Sequence, residues 1–296
     1  MTDTNDLLEA LLNHAPVVTD GAWGTQLQER GLGHGECPER WNLDRSEDVA
    51  AVARAYAEAG SRVVLTNTFG GNRIALASHG LEGRVAEINR RGVELSREGG
   101  GSDAAVFASI GPTGKLLIAG DVRADELREI FEEQTGACAA GGADAIVIET
   151  MSDIEEARIA VAAAVETGLP VVACMSFSAG KEKDRTMMGV TPEQAVEGLL
   201  EAGASIIGAN CGNGAAEYEP VCRRLHAASG RPVWLKPNAG IPSLLDGVAV
   251  YSTRPEDFAV EAMKLCEAGA GFIGGCCGTG PAFVAALKAA LQEQRS

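Results

Sequence analysis

The chain has 296 residues and a formal net charge of −16 at pH 7. So acidic a surface repels phosphate backbones, which argues against nucleic acid as a partner; its plainest consequence is solubility. Hydrophobic residues make up 46% and aromatics 4%, which supplies a large core and suits helices packed around a parallel sheet better than an aromatic-rich binding surface.

The opening residues Met1-Thr2-Asp3-Thr4-Asn5-Asp6 are polar and acidic, unlike a secretory signal, and no apolar run reaches 18 residues. No membrane partner is expected, and the cytoplasm is the expected compartment. Residues 4–14 read as a short helix closing the bottom of a barrel. Eight apolar, β-branched runs then recur at 17–22, 62–69, 106–111, 145–150, 170–177, 205–211, 232–238 and 271–276. Most are continuous rather than alternating, the pattern of strands buried on both faces.

Helical patterns lie between these runs. Asp44 with Glu47, Ser152 with Glu155, Thr191-Pro192-Glu193-Gln194, and Thr253 with Glu256 all have capping-box spacing. Gly60, Gly142, Gly168, Gly203 and Gly269 stand where helices should stop. Strands alternating with helices predict a closed (β/α)8 TIM barrel, a single domain over residues 1–296. A doubly wound open sheet is the structural alternative.

In such barrels the chemistry lies at the C-terminal ends of the strands, and the unusual residues fall there. Strand one ends in Asp20-Gly21-Ala22-Trp23-Gly24-Thr25, strand two in Thr66-Asn67-Thr68-Phe69-Gly70, and strand three in Gly111-Pro112-Thr113-Gly114. Strand four ends in Glu149-Thr150, strand six in Asn210-Cys211-Gly212, and strand seven in Pro237-Asn238-Ala239-Gly240. Strand eight ends in Gly274-Gly275-Cys276-Cys277-Gly278-Thr279-Gly280. The third of these lacks the Gly-Lys-Ser/Thr ending of a phosphate loop and reads as a tight turn.

Eight cysteines in a chain of this size, without a signal peptide, read as reduced thiols or metal ligands. Cys211, Cys276 and Cys277 share one rim. Zinc accepts three cysteine thiolates and can keep a fourth position open, which suits activation of another thiol. The competing readings are a vicinal Cys276–Cys277 disulfide and plain buried fill. Neighbouring strand residues point to opposite faces, so both thiols reach one ion only where Gly274, Gly275 and Gly278 let the strand end bend. Cys138, Cys174, Cys222 and Cys266 read as fill and Cys37 as a loop residue. His14, His34, His79 and His226 have no ligand spacing.

Asp20 and Glu149 place two carboxylates on the same rim. The shortage of aromatics argues against a sugar-cleaving acid–base pair. The pair suits an α-ammonium group, with the N–H groups of Gly21 and Ala22 for an α-carboxylate; helix capping and proton transfer are the alternatives.

Taken in order over roughly residues 15–290, these rim motifs resemble the homocysteine S-methyltransferase family. The resemblance implies Zn2+ on Cys211, Cys276 and Cys277. It also implies homocysteine as methyl acceptor, its amino group near Asp20 and Glu149 and its thiol on the zinc, with methionine as product. Asn238 is expected beside the metal or in its open position.

The segment Cys37-Pro38-Glu39-Arg40-Trp41-Asn42 looks more like the homocysteine domain of cobalamin-dependent methionine synthase than like the betaine-dependent members. The latter carry a tyrosine near the metal where this chain has Gly70-Gly71. No Asp-x-His-x-x-Gly cobalamin motif occurs, so a separate methylcorrinoid protein is the expected methyl donor, with betaine and S-methylmethionine as alternatives. Trp23, Trp41 and Phe69, with Phe177 behind them, are the aromatics on hand for a cage around a cationic donor. From other classes, a lyase or hydrolase using Asp20 and Glu149 and a non-catalytic redox or zinc-binding barrel stay open.

Overall fold

The computed structural model describes residues 6–245 and 248–295. Eight parallel strands form one sheet: β1 (Val17–Val18), β2 (Val63–Leu65), β3 (Ala105–Ile110), β4 (Ala145–Met151), β5 (Val171–Met175), β6 (Ile206–Gly214), β7 (Val233–Asn238) and β8 (Ala270–Ile273). Their order is β1-β8-β7-β6-β5-β4-β3-β2, and a parallel bridge between Thr19 and Val63 joins the two ends. The sheet is therefore a closed ring, and the open doubly wound alternative is excluded. All eight expected runs supply a strand. A separate antiparallel hairpin, Ser243–Leu245 with Val248–Val250, interrupts the connection after β7.

The continuous apolar runs reflect two faces that are both buried. Val17, Val63, Leu65, Phe107, Val147, Val172, Cys174, Ile206, Trp234 and Phe272 point into the lower barrel. Trp234 sits between Phe107 and Phe272, with ring centroids 5.9 and 5.2 Å away. The helix Asp6–Leu12 closes this layer from below with Leu8 and Leu11, as expected for a bottom cap. Intervening residues such as Val64, Val106, Ile146, Ile148, Ile207 and Leu235 face outward and pack under the helices. Helices Ser46–Ala59, Val85–Gly100, Ala124–Ala140, Ile154–Val165, Pro192–Glu201, Ala215–Ser229, Pro255–Glu267 and Pro281–Arg295 make the outer ring.

The helix stops fall where expected: Gly60, Gly142, Gly168, Gly203 and Gly269 all have positive φ. The starts agree less well. Thr191 and Gln194 form the full capping box with Pro192 in the first turn. In the next-upstream case Asp153, not Ser152, caps its helix, accepting from the Glu155 N–H. The helices after Arg45 and Arg254 have no side-chain cap, because Asp44 is occupied as the last residue of a short helix, Trp41–Asp44, and Thr253 lies one residue too early.

The Trp234 indole N–H is buried and has no hydrogen-bond partner. Trp234→Ala should lower stability by about 3–5 kcal/mol. Trp234→Phe should cost much less, because an unpaired buried donor, itself costing about 1–3 kcal/mol, is removed with the ring. Urea unfolding midpoints of the two variants check this; equal losses would contradict it.

Candidate functional site

Ring closure sets the C-terminal ends of β6 and β8 on either side of β7. Cys211 ends the regular ladder of β6 with φ +62°, followed by Gly212 at +65°, and the register with β7 breaks just after it. This left-handed pair turns the strand end toward β8. Cys276 donates its N–H to Pro237 O (2.8 Å), and Cys277 O accepts from Ala239 N (2.9 Å), so the β8 end is tied to β7. Gly278, φ +81°, completes the bend; a Cβ there would run into the Tyr251 ring.

The three Sγ atoms of Cys211, Cys276 and Cys277 lie within 4.8 Å of one another, with Cys276 and Cys277 4.0 Å apart. Metal–sulfur bonds of about 2.3 Å in a tetrahedron set sulfurs about 3.8 Å apart, so the donor set fits one thiophilic ion. Among the described residues no other three His, Cys, Asp or Glu side chains gather this way. All eight cysteines are free. Hydrogen bonding from Cys276 and Cys277 holds the Cys211 thiol well below its ordinary value, and the same sharing raises Cys276 and Cys277.

Asn238 braces the cluster from β7. Its Nδ2 donates to Gly212 O (2.6 Å) and its Oδ1 accepts from Cys277 N (3.0 Å), which pins the two cysteine-bearing turns to each other. Asn210, buried one residue before Cys211, accepts from Thr150 N (2.7 Å) and donates to Thr150 Oγ1 (2.7 Å) and Glu149 Oε2 (3.3 Å).

A cavity of about 250 Å³ opens beside the cluster, walled by Gly21, Trp23, Phe69, Ser109, Glu149, Lys236 and the three cysteines. A larger cleft, about 660 Å³, lies at the opposite end of the barrel beside Leu11, Arg62, Asp103 and Lys288, remote from every rim motif. Glu149 is 7% exposed and accepts a hydrogen bond from Ser109 Oγ. Burial raises its pKa, while Lys236 and Ser109 oppose that shift.

Asp20 has a different setting. It is fully buried: Oδ2 accepts from Leu65 N (2.7 Å) and Trp23 Nε1 (2.8 Å), and Oδ1 pairs with the Lys236 ammonium. Its carboxylate thus faces Lys236 and does not line the cavity. The Ala22 N–H is also committed, donating to Thr279 O at 3.0 Å. Gly21 packs so tightly that a Cβ would sit 2.8 Å from Thr279 O.

Lys236 escaped the sequence reading. A lysine within Val233-Trp234-Leu235-Lys236 was the available signal, since a charge inside a buried strand needs a partner. Burial alone would lower its pKa; Asp20 and Glu149 outweigh that and leave it raised.

Of the four aromatics considered for a cage, only Trp23 and Phe69 line the cavity. Trp41 is in the core, with the Arg45 guanidinium 4.0 Å over its ring, and Phe177 is buried. The Cys37–Asn42 segment instead braces the loop after β2: Asn67 donates to Pro38 O (2.7 Å) and Asn42 Oδ1 (2.9 Å), and Glu39 accepts from Gly70 N (2.7 Å). Cys37, Cys138, Cys174 and Cys222 are buried fill and Cys266 is half-buried in its helix.

Comparison with known proteins agrees with this geometry. The family described as homocysteine S-methyltransferase matches residues 17–291. The chain is 34% identical, over 97% of its length, to a methionine synthase of Mycobacterium tuberculosis, and 32% identical, again over 97%, to a methionine synthase of Mycobacterium leprae. It spans about a quarter of the length of these relatives, 25% in each case. Among solved structures, the homocysteine methyltransferase MmuM from Escherichia coli superposes with a TM-score of 0.80 in its oxidized form (24% identity, 96% of this chain and 99% of that one). The metallated form of the same protein gives 0.80 at 22% identity, over 95% and 99% of the chains.

The Asp20–Lys236 pair offers a direct test of the barrel floor. Asp20→Asn keeps the shape but strands the ammonium in the interior, and breaking a buried pair costs about 3–5 kcal/mol. We expect that loss in denaturant unfolding, partly regained in Asp20→Asn/Lys236→Met; an unaltered single variant would refute it.

Proposed function

The chain belongs to the homocysteine S-methyltransferase family, and from that premise we propose that it is a zinc enzyme moving a methyl group to the thiol of homocysteine, giving methionine. The observation that carries the reading is the three-thiol cluster in the wall of a cavity that also presents a buried carboxylate. Cys211, Cys276 and Cys277 would hold the ion; a metallated form of the structurally similar MmuM supports a metal in this fold. Three thiolates with a zinc ion would give the site a formal charge of −1 (+2 − 3), and a zinc held there would lower the pKa of an added thiol and leave its sulfur nucleophilic.

The chain's own residues do the remainder. Asn238 fixes the distance between the two cysteine turns. Glu149 receives the α-ammonium of the acceptor, Gly21 borders its head group, and Asp20 and Ala22 act indirectly, by holding Lys236 and the β1 turn. The transfer forms an S–CH3 bond as the donor's bond to methyl breaks, the electron pair leaving with the donor, so no protein acid or base is needed. A cytoplasmic setting, where free thiols stay reduced, suits the eight cysteines.

We place the methyl donor outside this chain, on a separate methylcorrinoid protein. Two aromatics at the cavity are a thin cage for a quaternary ammonium or sulfonium donor, and the Cys37–Asn42 segment supports the loop after β2 as a unit. Betaine and S-methylmethionine are the alternative donors.

Two experiments test the reading. Cys211→Ala, Cys276→Ala or Cys277→Ala should abolish methionine formation and lower zinc well below one ion per chain, with far-UV circular dichroism unchanged; Asn238→Ala should weaken zinc by about 10- to 100-fold against a chromogenic chelator. Full zinc content in Cys211→Ala/Cys276→Ala would end the metal assignment and favour a redox role for the thiols. Separately, zinc-loaded protein with homocysteine should form methionine from a methylated corrinoid protein and not from betaine or S-methylmethionine; the reverse result transfers the donor role to the small molecules.

A further inference from the structure

The geometry points to Tyr251 as a positioning residue of the thiol cluster: its phenol donates to Cys277 Sγ and so steers the methyl group to the acceptor's sulfur and away from the protein's own. The inference rests on the reading of the cluster as a zinc site and adds what protects its ligands from being methylated.

The first observation is how Tyr251 arrives. The hairpin after β7 pairs Ser243 with Val250, so the chain leaves it at Tyr251. Two glycines make room for the segment that follows. A Cβ on Gly240, at the end of β7, would lie 2.9 Å from Thr253 Oγ1, and one on Gly278 would run into three atoms of the Tyr251 ring. The ring therefore rests on the backbone of the residue next to Cys277. It is half-buried and does not wall the cavity, so it reaches the cluster from outside and stays clear of the acceptor.

The second observation is what the phenol meets. A side-chain hydrogen bond joins it to Cys277, and Cys211 and Cys276 also act on it. The third is that the other two sulfurs have donors too. Cys276 has Asn210 Nδ2 at 4.0 Å, and Cys211 has the Gly212 N–H and the Asn238 amide. These donors come from β6, β7 and the segment after the hairpin, and every one of them is uncharged. Each protein sulfur is thus supported from its own side.

The chemistry gives that arrangement a use. A donor's methyl group forms an S–CH3 bond with any thiolate it meets, as its old bond breaks and the electron pair leaves with the donor. On Cys277 the product would be a thioether, and the thiolate would be lost. A hydrogen bond stabilises a thiolate, and nucleophilicity falls with the basicity of the sulfur. A donor on Cys277 therefore lowers the rate at which it takes up the methyl group.

The experiment compares the wild-type protein, Tyr251→Phe and Tyr251→Leu, each loaded with Co2+ or with zinc. Tyr251→Phe keeps the ring on Gly278 and removes only the hydroxyl. In the Co2+ form it should move the sulfur-to-metal charge-transfer band to longer wavelength. In the zinc form without acceptor, iodoacetamide should alkylate Cys277 roughly 3- to 10-fold faster, the range for one lost hydrogen bond to a charged group scaled by the Brønsted slope of thiol attack. Peptide mapping by mass spectrometry should place the gain on Cys277, with Cys211 and Cys276 unchanged. An unchanged band and alkylation pattern in Tyr251→Phe, with changes confined to Tyr251→Leu, would reduce Tyr251 to packing and overturn the proposal while leaving the metal reading in place. A gain spread equally over the three cysteines would overturn it as well. Failure of the wild-type protein to take up either ion would overturn both.

Discussion

The ring closes between β1 and β2 through very few bonds. The two strands are two and three residues long, and beside the Thr19–Val63 bridge the seam has Arg62 N–H to Val18 O at 2.8 Å. The next rung is supplied by a side chain: Asp20 Oδ2 accepts the Leu65 N–H. The same carboxylate holds the Trp23 indole at the mouth of the cavity and the Lys236 ammonium on its floor. One buried acid therefore links closure of the barrel to the charge distribution of the site. A fully buried carboxylate persists only when its lone pairs are filled, and closing the ring is what delivers the donors that fill them.

The period of two along each strand turns this closure into layers. β7 contributes Trp234, then Lys236, then Asn238; β3 contributes Phe107, then Ser109; β4 contributes Val147, then Glu149. Read from the bottom, the interior passes from aromatic and aliphatic fill to a band of charged and hydrogen-bonding groups, and then to thiols. The apolar lower layer closes the barrel beneath the band, and Ser109, Glu149 and Lys236 of the band line the cavity. Glycines accompany the transition because the thiols approach from two directions: Cys211 along β6 and the Cys276–Cys277 pair along β8, with Asn238 between them.

Most of the architecture was legible in the sequence because parallel strands buried on both faces leave long apolar runs, and the glycine stops mark each helix end with a backbone conformation few other residues adopt. The thiol cluster was legible for a related reason: glycines flank it on both strands. Helix starts were harder. Capping-box spacing recurs by chance over four residues, so Ser152 and Thr253 matched the pattern while Asp153 and Arg254 hold the position. Burial of polar groups was harder still. Asp20 and Glu149 look equivalent as letters at strand ends, yet one is enclosed by internal donors and the other lines the cavity. Asp20 is paired with a lysine more than two hundred residues away in the chain, a separation of 216, which no local pattern around residue 20 reveals. Trp41 likewise read as a rim aromatic and proved to be core, because it opens the short helix Trp41–Asp44 with its ring buried, and Phe177, read as standing behind the rim, is buried just past β5.

The backbone at Cys211 has a consequence for how this chain tolerates change. A non-glycine residue at φ +62° sits in a region that costs it roughly 1–2 kcal/mol relative to glycine. The next residue, Gly212, adopts nearly the same angle without that penalty. Considered as folding alone, glycine is the better occupant of position 211. The thiol is retained there against the local conformational preference, so the two demands on the position point in opposite directions. Selection for thermal tolerance alone, blind to chemistry, would favour a sturdier barrel with an emptied site, in which a glycine at position 211 keeps the same bend without its cost.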